Sequence, residues 1–179
     1  MRRRYETLVR QHMATTSELA AGLRALPETQ GSFAAAQAAW RFYRNPRVTL
    51  AGLMQPLLAH ARSAITTACQ DYVLAVHDWS ALGFAQHASK TERIPLNTKQ
   101  PVGYELLAGL LLSDQTGQPL APAYQELTTA AGVLSTRSAR RLPRCAHLDA
   151  LTLAQAHVER LGLGKPIVHI IDAEADAVG

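Results

Sequence analysis

Cysteine is nearly missing from this chain: Cys69 and Cys145 are the only two in 179 residues. Two thiols cannot build a disulfide framework, so unpaired cysteines in a reducing cytoplasm are expected. Long apolar runs are missing too. The longest strongly apolar stretch, residues 106–112, is seven residues, against the roughly 20 needed to span a bilayer. Arg2, Arg3 and Arg4 follow Met1 without an apolar segment behind them, which argues against a secretory signal. Glycine and proline (11 and 9) are too few for a fibrous chain. There is no Gly-rich phosphate loop, no G-x-S-x-G elbow, no internal repeat and no low-complexity tract. Cys145-Ala146-His147 is too little for a structural zinc site.

What is present is a composition 47% hydrophobic and 18% charged, too apolar for a disordered chain. The net charge of +4 is unevenly spread. Residues 1–70 hold nine arginines against Glu6, Glu18 and Glu28, a balance of +6; residues 71–179 hold nine cations against eleven acids, a balance of −2. A basic segment joined to a mildly acidic remainder suggests a polyanion-binding module attached to a part that holds cations or does chemistry. The expected division is therefore 1–70 and 71–179.

Residues 1–70 read as helices. Residues 5–26 lack proline and are rich in Ala, Leu, Glu and Arg, and Pro27 ends the run. Ser32 suits the N-cap of a helix over 33–44, in which Phe33, Ala36, Trp40 and Tyr43 share one face. Pro46 disfavours helix at Asn45. Thr49 can cap a third helix reaching toward Cys69, with Pro56 kinking it or delaying its start.

Beyond residue 70 the period changes. Residues 72–77 form a short apolar run, expected as a buried strand ending at Asp78. A polar loop is expected over 85–101, a second strand over 103–113, a turn at Asp114-Gln115-Thr116-Gly117, and a third strand over 118–128. Pro119 and Pro122 put part of that strand at an edge or bulge. Leu148, Leu151, Gln155, Val158 and Leu161 trace a helical stripe stopped by Gly162 and Gly164. Ile167-Val168-His169-Ile170-Ile171 is a further strand, ending at Asp172. The fold class expected is α+β or α/β: a helical region, then strand-strand-strand-helix-strand.

Two apolar strands thus each end in an aspartate. A helical crossover would let the last strand pair in parallel with the first, bringing Asp78 and Asp172 together at neighbouring carboxyl ends. Two ionised carboxylates so close repel, and a divalent cation resolves the conflict. Hard oxygen donors suit Mg²⁺ or Mn²⁺. An aspartate at a strand end also serves as a turn former or helix cap, and that alternative stands. His77 and His169 fall within the strand runs and are expected to be packed rather than ligating.

In the basic half, Trp40-Arg41-Phe42-Tyr43-Arg44-Asn45-Pro46-Arg47 is the densest feature. Arginine forks match phosphate oxygens, and Tyr43 and Asn45 add donors for sugar, phosphate or base edges. The bland alternative is a solvated edge on an aromatic core helix.

The run Ala38-Ala39-Trp40-Arg41-Phe42-Tyr43-Arg44-Asn45-Pro46-Arg47-Val48-Thr49 resembles the end of the N-terminal DNA-binding domain in bacterial cut-and-paste transposases of the insertion-sequence-four family. Val73-Leu74-Ala75-Val76-His77-Asp78-Trp79-Ser80 is similar to that family's first catalytic strand. The segment from Ile167 through Asp172 to Asp176 is similar to the one bearing its second catalytic aspartate. The resemblance implies an RNase H-like core, a D-D-E triad binding two Mg²⁺ (or Mn²⁺) ions, and Asp78 and Asp172 as its first two carboxylates. It implies hydrolysis at a transposon end, followed by strand transfer by the freed 3′-hydroxyl. Arg41, Tyr43, Arg44, Asn45 and Arg47 would hold the double-stranded terminal inverted repeat.

The family's third carboxylate, with an accompanying Tyr and Arg, lies well downstream of the second aspartate, and the sequence ends at Gly179. The expectation is a truncated, inactive transposase with a partial core, cytoplasmic and associated with the nucleoid when bound to DNA. Apolar sheet surface left without covering helices would favour self-association or association with a full-length transposase. Two alternatives stay open. One is a non-catalytic DNA-binding remnant or inhibitor; the other is an unrelated metal-dependent phosphohydrolase.

Overall fold

The computed structural model describes residues 3, 6, 7, 32–97 and 101–171. Most of the helix expected over 5–26, and Asp172 with everything after it, lie outside the described residues. The chain divides into two compact units, Met1–Val48 and Thr49–Gly179.

The first unit contains helix α1, Ser32–Tyr43. Its end is built from local bonds. The Arg44 N–H donates to the Trp40 carbonyl, the Asn45 N–H to Phe42, and the Val48 N–H to Asn45. The Asn45 Oδ1 accepts the Arg47 N–H at 3.0 Å, which turns the chain through Pro46.

The second unit is a mixed α+β arrangement around a six-stranded mixed sheet. It opens with α2, Leu50–Ala68, whose N-cap Thr49 accepts the Gly52 N–H on its Oγ1 at 3.0 Å. The helix runs straight on through Pro56. A mid-helix proline costs about 3 kcal/mol, but burying Met54, Leu58 and Ile65 returns about 1.5–3 kcal/mol each, so packing wins. That same stripe joins α2 to the sheet, which is why the compact unit begins at Thr49 and not near residue 70.

The strands are β1 (Val73–Gly83), β2 (Ile94–Pro95), β3 (Val102–Ser113), β4 (Pro119–Thr129), β5 (Gly132–Ser135) and β6 (Ile167–Ile171). Between β5 and β6 lies α3, His147–Glu159. The sheet order is β5-β4-β3-β1-β6, with β2 pairing β3. Strands β1, β3 and β4 form an antiparallel meander, and α3 is the crossover that returns β6 parallel to β1. Register shifts in β4 fall beside Pro119 and Pro122, where a missing N–H breaks the ladder.

One expectation is corrected. β1 does not stop at Asp78; it continues to Gly83, pairing with β3 from Val73↔Ser113 to Gly83↔Gly103. Asp78 sits mid-strand opposite Ala108 because β3 supplies partners for the backbone well beyond it.

Alternation along the strands separates two faces. Val73 and Ala75 of β1 with Leu107 and Leu111 of β3 join the α2 stripe and Ala154 and Val158 of α3 in one core. In α3 the buried positions are Leu151, Ala154 and Val158, while Leu148 is exposed. The stripe expected from Leu148 and Gln155 is therefore rotated slightly. Both helices cover the same sheet face. On the other, Leu110, Val168 and Ile170 are each about 40% exposed, an open apolar surface that also carries the even-numbered residues of β1.

Asp114, in the β3–β4 turn, staples the entrance to β1. Its carboxylate accepts backbone N–H groups of Gln70, Asp71 and Tyr72 at 2.7–2.9 Å. Those bonds hold its pKa down to about 2, from an ordinary 3.8. The stabilisation is therefore complete above the ordinary value and is lost as pH falls toward 2. Asp114→Asn should lower the melting temperature at pH 7. Melts between pH 5 and 2 should show a shallower acid-induced loss for the variant than for the wild type.

Candidate functional site

Of the four positions expected to share a face in α1, the side chains of Trp40 and Tyr43 are described, and both lie on its exposed side. Phe42 and Ala39 are the buried positions, whereas Trp40 and Tyr43 are more than half exposed. The Arg44 guanidinium lies 4.7 Å from the centre of the Trp40 ring, and Tyr43 meets Phe42 edge-on. Arg41, Arg44 and Arg47 are all exposed. The Asn45 carbonyl oxygen is committed to the turn, leaving its amide N–H groups as the donors. The exposed face of this segment thus combines cations with a flat aromatic surface, the combination that grips phosphates and stacks on bases or sugars.

Asp78 is exposed on the open face of the sheet, and the Ser80 Oγ donates to its Oδ2 at 3.1 Å. One such bond leaves most of its lone pairs free for a cation. The β1·β6 register runs in parallel from Val73↔Ile167 to His77↔Ile171. Asp78 is the next residue on β1; its expected partner Asp172 lies outside the described residues. Among the described residues no group of three or more His, Cys, Asp or Glu is arranged to hold a metal ion.

One residue back, on the core face, His77 is fully buried. Its Nδ1 lies 2.6 Å from the Tyr124 hydroxyl and its Nε2 lies 2.8 Å from His169 Nδ1. His169 Nε2 lies 3.1 Å from Glu159 Oε1. Burial, reinforced by His169, pushes the His77 pKa down to about 4, so the ring is neutral at pH 7. Burial likewise pushes the Tyr124 phenol up. Both histidines are packed, as expected, but Tyr124 and Glu159 went unnoticed, lying 47 and 82 residues from His77. Gly109, in the middle of the leucine run of β3, is the signal that the sequence offers. A Cβ there would come within 2.3 Å of the Tyr124 ring.

A cavity of about 320 Å³ lies between the sheet and α3, with Trp79, Glu105, Glu126, Arg137 and His147 on its walls. Its two carboxylates are already engaged. Glu105 faces His147 at 3.1 Å, and the buried Glu126 Oε1 accepts from Arg137 Nε and Nη2 at 2.9 and 2.7 Å. Arg137 Nη1 also donates to the Leu153 carbonyl, tying β4 to α3. This cavity has no free anionic ligand to offer a cation. No helix among the described residues is long and apolar enough to cross a membrane. No family model matches the chain, and no curated protein matches it.

Because Glu126 is buried and paired, removing it strands the Arg137 charge. Glu126→Ala should cost about 3–5 kcal/mol, read from urea unfolding. Glu105→Ala, at a more exposed pair, should cost under about 1 kcal/mol.

Proposed function

We propose that the chain binds double-stranded DNA through the Arg41–Arg47 segment and carries part of a metal-dependent phosphodiester site at Asp78 and Asp172, as a transposase of the insertion-sequence-four type does. The observation that carries this reading is the β1·β6 register. It runs in parallel up to His77↔Ile171, the pair that immediately precedes Asp78 on β1 and, in the sequence, Asp172, which lies outside the described residues. Asp78 is one residue from the core-facing His77, so alternation sets its carboxylate on the open face of the sheet. Apart from the short β2 and β5, the order β1-β3-β4-α3-β6, with β6 returning parallel beside β1, supports an RNase H-like reading of the sheet.

Asp78 fits one half of such a site, as an exposed hard-oxygen donor with Ser80 as its hydrogen-bond partner. Mg²⁺ or Mn²⁺ bound there would stabilise the attacking and leaving oxygens of an in-line displacement. Arg41, Arg44 and Arg47 neutralise backbone phosphates, and Tyr43 and Asn45 add neutral donors. Transposon terminal inverted repeats are the DNA this reading assigns, with work at the bacterial nucleoid in the cytoplasm.

A second reading is occupancy of DNA ends without chemistry, supported by the exposed Arg41, Arg44 and Arg47 without any part for Asp78. An inhibitor that mixes with full-length transposase belongs to this reading. The other alternative, an unrelated metal-dependent phosphohydrolase, would use the same Asp78 and Asp172 and is distinguished by turnover of small phosphoesters.

Gel shifts on terminal inverted repeats should show binding that weakens with salt. Arg41→Ala and Arg44→Ala should each reduce the slope of log affinity against log salt by about one. Asp78→Asn should leave DNA binding unchanged and abolish Mn²⁺-induced broadening of resonances around residue 78. The chain should not hydrolyse small phosphoesters; such turnover would overturn this reading in favour of the phosphohydrolase.

A further inference from the structure

The hydrogen-bonded chain beneath Asp78 has a direction, and one end fixes it. The Glu159 carboxylate can only accept, so His169 donates to it from Nε2. With the ring proton of His169 on Nε2, its Nδ1 is the acceptor, and the donor facing it is the His77 Nε2–H. The His77 Nδ1 is left to accept from the Tyr124 hydroxyl. Each imidazole is held as a single tautomer, and the chain runs from β4 through β1 and β6 to the last residue of α3.

β6 is the strand that needs such a tie. It has five residues, pairs with β1 alone among the described strands, and exposes Val168, Ile170 and Ile171 to about 40%. It reads Ile-Val-His-Ile-Ile, so every position but His169 is a β-branched aliphatic. The contrast between faces that normally specifies register is therefore missing, and a slip by one residue would exchange like for like. Such a slip would carry His169 away from His77 and onto the open face.

We propose that the Tyr124–His77–His169–Glu159 chain is a register lock: His77 and His169 are positioning residues that hold β6 in one alignment against β1, and so decide whether Asp172 arrives beside Asp78. The consequence for the two aspartates rests on the proposed function. The lock itself does not.

The test uses the whole 179-residue chain. Long-range proton–nitrogen NMR should show both His77 and His169 as Nε2–H tautomers. In His169→Val, amide exchange in β6 should rise tenfold or more, or its resonances should double, while β3 and β4 amides stay within twofold. Glu159→Gln keeps an acceptor and should preserve the wild-type pattern; Glu159→Ala should loosen β6 alone. Mn²⁺ affinity at Asp78 should fall several-fold in His169→Val at a temperature where both proteins are folded. An Nδ1–H tautomer at either ring would overturn the lock. So would an unchanged β6 in His169→Val, or a sheet that loosens uniformly. Wild-type protein that binds no Mn²⁺ would overturn the metal reading, with the lock still decided by tautomer and exchange.

Discussion

Everything in the second unit hangs on β1 being paired along both edges. Its antiparallel partner β3 is close in sequence and extends it as far as Gly83; its parallel partner β6 comes from the far side of the α3 crossover. Pairing on both sides satisfies the central backbone polar groups and leaves the side chains to decide the two faces. From Val73 to Trp79 the odd-numbered residues of β1 then face the core with α2 and α3, and the even-numbered ones line the open face. A single choice of register therefore sets burial, the position of Asp78 and the meeting of His77 with His169.

That arrangement places two opposite environments on adjacent residues. His77 is fully buried and Asp78 is exposed. A buried imidazole is tolerable because both its nitrogens are partnered and because burial keeps it uncharged. The same economy holds across the described residues, where every buried side-chain polar atom has a hydrogen-bond partner. Glu126 is matched to Arg137, and Ser113 donates to the Ala68 carbonyl where α2 ends. The links of His77 and Ser113 join elements 45 or more residues apart, and so resist sliding in a way that aliphatic packing alone does not.

How much of this was legible follows from what periodicity can report. Strand runs over 103–113, 118–128 and 167–171 stand out because apolar β-rich residues are bounded by turn formers, and the structure sets β3, β4 and β6 there. Asp78 misled as a strand end because a charged residue after an apolar run looks like a stop. The alternation continues past it, and an exposed carboxylate is compatible with a strand that has one open face. In α1 the spacing of Trp40 and Tyr43 identified a shared face but not its direction, and the ring carrying the buried side was Phe42. The Arg41, Arg44 and Arg47 cluster was readable because surface chemistry is local. The chain from Tyr124 to Glu159 was not, since its members meet only after four elements have assembled.

β6 shows why a polar residue in an apolar strand can matter more than its energy suggests. The net gain from one hydrogen bond is about 0.5–1.5 kcal/mol, small beside the burial of several β-branched side chains. Burial, however, is almost the same in competing registers of Ile-Val-His-Ile-Ile, so it cancels from the comparison. What does not cancel is His169, which finds partners on both nitrogens in one alignment. Displacing it also leaves His77 with an unmatched N–H in the core, a penalty of about 1–3 kcal/mol on top of the lost bond. The two effects together favour the native alignment by tenfold or more. Aliphatic residues therefore supply the stability of β6, and one histidine supplies its address.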